Sequence, residues 1–103
     1  MFDKLDLSQM GKMFEKAQEE AKKLQEDLEN KEFTAKSGGG LVKVTANGKG
    51  EIIDIDIDDS LLEDKDSMQI LLISAVNDVL KMVEDDKKNM AMQMLGKLGP
   101  LGR

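Results

Sequence analysis

The residue types and spacing that first suggest chemistry are those of Asp54, Asp56 and Asp58, which alternate with isoleucines in this sequence of 103 residues. Alternate residues of a β-strand project from one face about 6.7 Å apart, which is too far for three carboxylates to hold one ion. A calcium loop of the EF-hand type starting at Asp54 needs Gly and Glu where this chain has Asp59 and Lys65. We therefore predict no metal site and interpret the aspartates as a solvated strand face.

Catalytic side chains are scarce, because the sequence contains no His and no Cys, and its single Arg is Arg103. Carboxylates are plentiful, but they lie beside lysines on predicted amphipathic helices, as on ordinary solvated surfaces. The three glycines at positions 38–40 lead into a strand and lack the Gly-Lys-Ser/Thr of a phosphate-binding loop. No nucleophile, base and orienting group can be combined. We predict no enzyme, no cofactor and no small-molecule substrate.

Charge is unevenly distributed along the chain. The formal net charge is −6, which taken alone argues against nucleic-acid binding, because phosphate contacts require Lys and Arg. Residues 1–50 hold nine lysines and nine acids, residues 51–86 hold two lysines and twelve acids, and residues 87–103 hold four basic residues and no acid. The sequence therefore predicts an acidic middle and a basic end.

A β-hairpin is predicted where hydrophobic residues alternate with polar ones, on either side of Asn47-Gly48. A loop of two or four residues places the apolar residues of both strands on one face, whereas a three-residue loop places them on opposite faces. We expect the first arrangement, with that face buried. Its residues are Val42, Val44 and Ala46 on one strand and Ile53, Ile55 and Ile57 on the other. Residues 32–37 can supply a third strand, with Phe33 and Ala35 on one face.

A long helix is predicted before the sheet, over residues 7–31, with Asp6 and Gln9 resembling a capping box at its start. Its apolar residues recur at spacings of four and three, which is the pattern of a heptad seam. The heptad seam consists of Met10, Phe14, Ala17, Ala21, Leu24 and Leu28. It is either core or subunit contact.

A second long helix is predicted after the sheet, preceded by a short turn. Ser60 with Glu63 and Asp66 with Gln69 resemble successive capping boxes. The main apolar stripe of this helix is Leu72, Val76, Val79 and Val83. We expect one domain over residues 1–95 and a flexible tail containing Gly and Pro over residues 96–103.

The predicted fold class is α+β, with the order α-β-β-β-α: a long helix, a three-stranded antiparallel sheet and a long helix. Helices of about 25 residues are about 37 Å long, whereas a seven-residue strand covers about 23 Å. Because the overhanging helix ends are apolar on one side, we expect a homodimer with projecting helices. No apolar run reaches the ~18 residues that span a bilayer, and no secretory signal precedes the domain. The expectation is a cytoplasmic protein without membrane contact.

Several segments together resemble the YbaB/EbfC family of bacterial nucleoid-associated proteins. These segments are Gly-Leu-Val-Lys-Val-Thr-Ala-Asn-Gly at residues 40–48, Ile-Asp-Ile-Asp at 55–58, Leu-Leu-Glu-Asp at 61–64 and Ala-Val-Asn-Asp-Val at 75–79. The resemblance covers nearly the whole chain. It implies a homodimer at the nucleoid, with helices that project like tweezers, bind double-stranded DNA and alter its conformation, nucleoid organisation or gene expression.

The resemblance supplies no DNA-contacting motif, so candidate contacts come from the charge map. They are Lys12, Lys16, Lys22 and Lys23 on the first helix and Lys87, Lys88 and Lys97 on the second. The alternative for each is a lysine that only keeps its helix soluble. With no Tyr or Trp, base stacking is not expected, and phosphate contacts are the mechanism. A protein-binding adaptor using the Met-rich helix end, or a purely structural dimer, are the other two interpretations.

Overall fold

The computed structural model describes residues 4–97 and has the predicted α-β-β-β-α order. Helix α1 (Lys4–Asn30) is followed by strands β1 (Glu32–Ser37), β2 (Val42–Asn47) and β3 (Ile52–Ile57), and then by helix α2 (Lys65–Lys97). A turn of three glycines with positive φ, Gly38–Gly40, joins β1 to β2, and a short 3-10 helix, Asp59–Glu63, joins β3 to α2. No helix within the described part of the chain is long and apolar enough to cross a membrane.

Helix α1 forms because its residues are good helix formers and no Pro interrupts them. It begins by Lys4, so Asp6 lies inside the helix and the predicted cap at Asp6 is wrong. The heptad seam does not form core within this chain, because Met10, Phe14 and Leu24 remain 62%, 64% and 47% exposed.

The three strands form one antiparallel sheet, as predicted, and their order in the sheet is β1-β2-β3. In the β2–β3 ladder Val44 pairs with Ile55 and Val42 pairs with Ile57, so the apolar residues of the two strands share a face. This part of the hairpin prediction is confirmed. Beyond Thr45 the register shifts by one residue, and Ala46 pairs with Ile52.

The loop length, however, differs from the prediction. The Asn47 N–H donates to the Glu51 carbonyl at 2.9 Å, which closes a three-residue loop over residues 48–50, with Gly50 at φ 88°. An odd loop would turn the apolar residues of β3 to the other face, but Ile53 is an extra residue in the ladder and restores the parity. Thus a β-bulge at Ile53 places Ile52, not Ile53, opposite Ala46.

The core lies between one face of the sheet and α2. Val42, Val44 and Val79 are completely buried, and each such side chain contributes about 1.5–3 kcal/mol by leaving water. The other buried hydrophobic residues are Ala35, Ala46, Leu61, Ala75 and Val83. The predicted stripe of α2 therefore does face the sheet. The expected burial of Ile53 and Ile55 is wrong for this chain alone, because these side chains are 48% and 45% exposed, whereas Ile57 is half-buried against the core.

The ends of α2 differ from the sequence prediction in detail. The Asp58 carboxylate accepts from the Ser60 N–H at 2.9 Å, and the Asp64 carboxylate accepts from the Ser67 N–H at 3.2 Å. These aspartates, rather than Ser60 and Asp66, therefore cap the 3-10 helix and α2. The helix continues through Gly96 to Lys97, so it does not stop at Gly96. The remainder of the predicted tail lies outside the described residues.

Candidate nucleic-acid interface

Helix α1 carries four of the candidate lysines along an arm that is attached to the body at one end. Its contacts with the sheet involve β2 near the carboxyl end of the helix, where the Gly48 N–H donates to the Leu28 carbonyl at 2.8 Å. Leu28 is the half-buried member of the heptad seam, whereas residues 7–27 are exposed. At 1.5 Å per residue, Lys12 lies about 24 Å along the helix from Leu28. The molecule accordingly measures 74 × 32 × 15 Å.

The α1 lysines lie on the side of the helix opposite the heptad seam and are all exposed. These residues are Lys12, Lys16, Lys22 and Lys23. Acidic residues share this polar face, since Glu15, Glu19 and Glu26 fall between the lysines on a helical projection. The structure thus places the four lysines on one face, but not as an uninterrupted basic stripe.

The candidate lysines of α2 do not all lie on one side of the helix. Lys87 and Lys88 are both exposed, and they point about 100° apart. Lys88 Nζ lies 3.5 Å from Glu84 Oε1, an exposed pair within one helix that contributes little stability. Lys97 ends the described helix, and its side chain lies outside the described residues.

Two lysines that the sequence did not single out hold α1 to the body. Lys31 Nζ donates to Oδ1 and Oδ2 of Asp86 at 3.0 and 2.8 Å, and Lys49 Nζ lies 3.3 Å from Glu29 Oε1. Lys31 and Asp86 are 55 residues apart, so no local spacing indicates their contact. Lys49 follows Asn47-Gly48 in the hairpin loop, and a lysine beside the end of a helix is favoured by the helix dipole.

Asp54 and Asp56 project from the sheet face that α2 leaves open. Lys43 is the residue opposite Asp56, and Lys36 lies beside Lys43 on β1. Within the described residues, no group of three acidic side chains is arranged to hold a metal ion. Asp58 instead serves as a cap, and hydrogen bonds from Ser60 lower the pKa of Asp58 below its ordinary value. The equivalent bonds from Ser67 lower the pKa of Asp64.

In the fold, the acidic side chains of residues 51–86 surround the sheet and continue along α2 as far as Lys87; we call this part the acidic body. Asp54, Asp56 and Asp59 are exposed around the sheet, and Glu84 and Asp85 are exposed one turn before Lys88. At physiological ionic strength the screening length is about 8 Å. Lysines on the outer half of α1 are therefore screened from the body, whereas Lys87 and Lys88 have acids nearby.

Comparisons with known proteins agree on one family. Residues 3–98 match the YbaB/EbfC DNA-binding family. A nucleoid-associated protein of Nitratiruptor sp. is 74% identical over 95 residues, which are 92% of each chain. One from Sulfurovum sp. is 66% identical over 99% of each chain. The crystal structure of the uncharacterized protein HP0035 from Helicobacter pylori superimposes with a TM-score of 0.67 at 49% identity, covering 80% of this chain and 98% of that one.

Proposed function

The chain belongs to the YbaB/EbfC DNA-binding family, and from this premise we propose that it is a nucleoid-associated homodimer that holds duplex DNA between the lysines of its projecting helices. DNA binding follows from the family, and the relatives named nucleoid-associated proteins support a location at the nucleoid. Catalysis has no part in this function, in keeping with a sequence that contains neither His nor Cys.

Exposed apolar surface supports the homodimer. Ile55, Ile73 and Val76 line an open apolar cleft of about 370 Å³ between β3 and α2. Ile73 is 56% exposed and Ile55 is 45% exposed, and apolar surface of this kind usually marks an interface. In a two-fold dimer both copies contribute the same surface, and two apolar surfaces of this kind can pack against each other.

The exposed edge of β3 is a less suitable place for the two copies to meet. Edge-to-edge pairing about a two-fold axis perpendicular to the sheet would bring the aspartates of one β3 opposite those of the other. Asp54 and Asp56 would then face like charges across the new ladder, which is unfavourable. The side chains of Ile55 and Ile73 are therefore the contact that we propose.

The observation that carries the DNA surface is that, among the described residues, α1 is exposed from residue 7 to residue 27 and contacts the body near Leu28. Because α1 is attached near Leu28, the helix presents Lys12 and Lys16 well away from the acidic body. Each phosphate neutralised by a lysine releases counterions, which favours binding and makes it depend on salt. Lys22 and Lys23 continue this surface toward the body, and Lys87, Lys88 and Lys97 provide the second surface.

The Met-rich end of α2 supports a second candidate function, that of a protein-binding adaptor. Met92, Met94 and Leu95 are 68%, 65% and 59% exposed. Flexible unbranched methionine side chains adapt to irregular partner surfaces. Binding through them would be apolar and would change little with moderate salt.

A mobility-shift titration of duplex DNA at several salt concentrations tests the proposal. Phosphate contacts predict that log affinity falls linearly with log salt, with a slope of about 0.9 per contact. Absence of binding at low salt, or binding unaffected by salt, would exclude the lysine surfaces. Light scattering on the same samples decides the dimer: a species of the 11.4 kDa chain mass at micromolar concentration would contradict it.

A further inference from the structure

Three contacts hold the carboxyl end of α1 to the rest of the molecule, and together we name them the clasp. They are the Gly48 N–H to Leu28 carbonyl hydrogen bond, the Lys31–Asp86 ion pair and the Lys49–Glu29 ion pair. The first and third come from the β2–β3 loop, and the second comes from α2. The clasp therefore joins α1 both to the sheet and to the second helix.

Gly48 lets the loop approach α1 more closely than another residue would. A Cβ atom at this position would lie 2.8 Å from the Leu28 carbonyl oxygen and 3.1 Å from Leu28 Cδ2. The oxygen is one of the last carbonyls of α1, which have no partner within the helix. The Gly48 N–H satisfies it, and Lys31 N donates to the same oxygen at 3.3 Å. The loop thus caps the helix and fixes the point at which the arm leaves the sheet.

Lys31 connects that point to α2. Its Nζ contacts both Asp86 oxygens, lies 4.0 Å from Met90 Sδ and stands 5.9 Å above the centre of the Phe33 ring. The Asp86 side chain is 22% exposed, so water screens the pair less than it screens a fully exposed one. The Lys31 side chain is thus held by Asp86, Met90 and Phe33 together, whereas Lys88 is paired with Glu84 of its own helix.

Beside the clasp, side-chain packing does not hold α1 against α2. A cleft of about 380 Å³ separates Leu24 and Leu28 of α1 from Met90 of α2. Side chains that interdigitated there would fix the arm by themselves. Lys31 lines this cleft, and its ion pair with Asp86 links the end of α1 directly to α2.

We propose that Gly48, Lys31 and Asp86 are positioning residues for DNA binding, which set the angle between α1 and α2 and hence the spacing between the two sets of lysines. The inference rests on the proposed function, because the angle matters for DNA only if those lysines contact it. The lever is long: position 9 lies about 28 Å along the helix from Leu28, so a 10° rotation there displaces it by about 5 Å. Successive phosphates of one DNA strand are about 3.4 Å apart along the helix axis, so a displacement of about 5 Å moves a lysine past its phosphate.

The first test uses a change for which charge and position predict opposite effects. Asp86→Asn removes one negative charge, so electrostatics alone predicts tighter DNA binding. Loss of the Lys31–Asp86 contact of the clasp instead predicts binding about two- to five-fold weaker, in the range of partly exposed ion pairs. Glu84→Gln is the matched control, since it removes the same charge two residues away and breaks an ion pair inside α2. We expect its affinity to be unchanged or higher. If Asp86→Asn binds DNA as tightly as Glu84→Gln, the proposal is wrong.

The second test measures the arm without DNA. Because the chain has no Cys, Gln9→Cys and Ser74→Cys give two specific spin-label sites, one on the exposed outer half of α1 and one on the exposed side of α2. Labelled chain is diluted with unlabelled chain, so that the distances measured by pulsed electron resonance lie within one protomer. We expect a narrow distribution in the otherwise unchanged chain and in Glu84→Gln, and a broader one in Asp86→Asn.

Exchanging the charges, with Lys31→Asp and Asp86→Lys together, should narrow the distribution again and restore DNA affinity. A distribution unaffected by Asp86→Asn would overturn the positioning role of the Lys31–Asp86 pair, whatever happens to DNA. If neither the unchanged protein nor any variant binds DNA, but Asp86→Asn still broadens the distance distribution, the clasp holds α1 in place. Both the proposed function and the positioning role for DNA are then wrong.

Discussion

Val44 and Ile55 lie directly opposite each other in the β2–β3 ladder, yet Val44 is completely buried and Ile55 is 45% exposed. The pair shares one face of the sheet, and α2 covers that face over β2 but leaves its β3 edge open. Val44 therefore stabilises the fold of one chain, whereas Ile55 is the residue that we assign to the dimer contact.

Substitution of Ile55 by Asp should dissociate the dimer without unfolding the chain. The new carboxylate would be buried only in the proposed interface, where burying an unpaired charge is costly. Val44→Ala is the matched control: it should lower the free energy of unfolding by about 2 kcal/mol through reduced burial, and leave association unchanged in the folded protein. Light scattering and thermal unfolding of both variants measure the two effects. An Ile55→Asp protein that remained dimeric would place the interface elsewhere.

Divalent ions should not stabilise the protein beyond their general effect on ionic strength. Asp54 and Asp56 project from the open face of the sheet, and Asp58 is engaged as a cap with Ser60. The three carboxylates therefore do not converge on one point. Thermal unfolding with a chelator and with added Ca²⁺ or Mg²⁺ measures this. A Ca²⁺-specific rise in melting temperature that disappeared in Asp54→Asn and Asp56→Asn would show a site.

The hairpin illustrates how far sequence reasoning extends. Alternation over β2 and β3 fixes which residues share a face, because a slip of one residue would turn every apolar side chain to the other side. It does not fix the loop, since a three-residue loop with a bulge at Ile53 gives the same parity as the loop of four. The three-residue loop and the bulge have opposite effects on parity, so the alternation of the sequence indicates neither of them.

The candidate site was less accessible to prediction, for two physical reasons. The contact between Lys31 and Asp86 depends on where α1 meets α2, and no periodic pattern within either helix encodes a pair 55 residues apart. The exposure of Ile55 was also unpredictable, because an apolar strand face has the same sequence whether its own helix or a second copy covers it. The lysines of α1 were easier, since a heptad seam defines the opposite face of its helix.

Helix α2 should lose stability in acid through its cap. Hydrogen bonds from Ser67 lower the pKa of Asp64 from its ordinary value of 3.8. A carboxyl group with a lowered pKa in the folded state stabilises the fold fully above its unfolded value, and this contribution is lost as the pH falls through the folded value. Asp64→Ala should therefore lower the melting temperature at pH 7, and the difference from the unchanged protein should shrink below about pH 3.8.

Asp66→Asn is a control for that measurement. Asp66 lies two residues further along the first turn of α2 and is the cap that the sequence predicted. If it changed the melting temperature at pH 7 as much as Asp64→Ala, the cap would be assigned to the wrong residue.

The two lysine surfaces should contribute separately to DNA binding. Changing Lys87, Lys88 and Lys97 together to Gln should lower affinity and reduce the slope of log affinity against log salt by about 0.9 for each phosphate that is no longer neutralised. The dimer should be unaffected, because none of the three lies in the Ile55 cleft. Mobility-shift titrations at several salt concentrations give both quantities.

Lys36→Gln with Lys43→Gln is the control for the removal of charge, because these lysines are exposed on the open face of the sheet. It should change the affinity less per charge than either helix set. Since Lys87 and Lys88 have Glu84 and Asp85 nearby, we expect Lys12→Gln with Lys16→Gln to reduce the slope at least as much per lysine as the α2 triple change. If the α2 triple change left affinity and slope unaltered, α1 alone would be the DNA surface. If the sheet lysines mattered as much as either helix, binding would follow total charge and not the projecting helices.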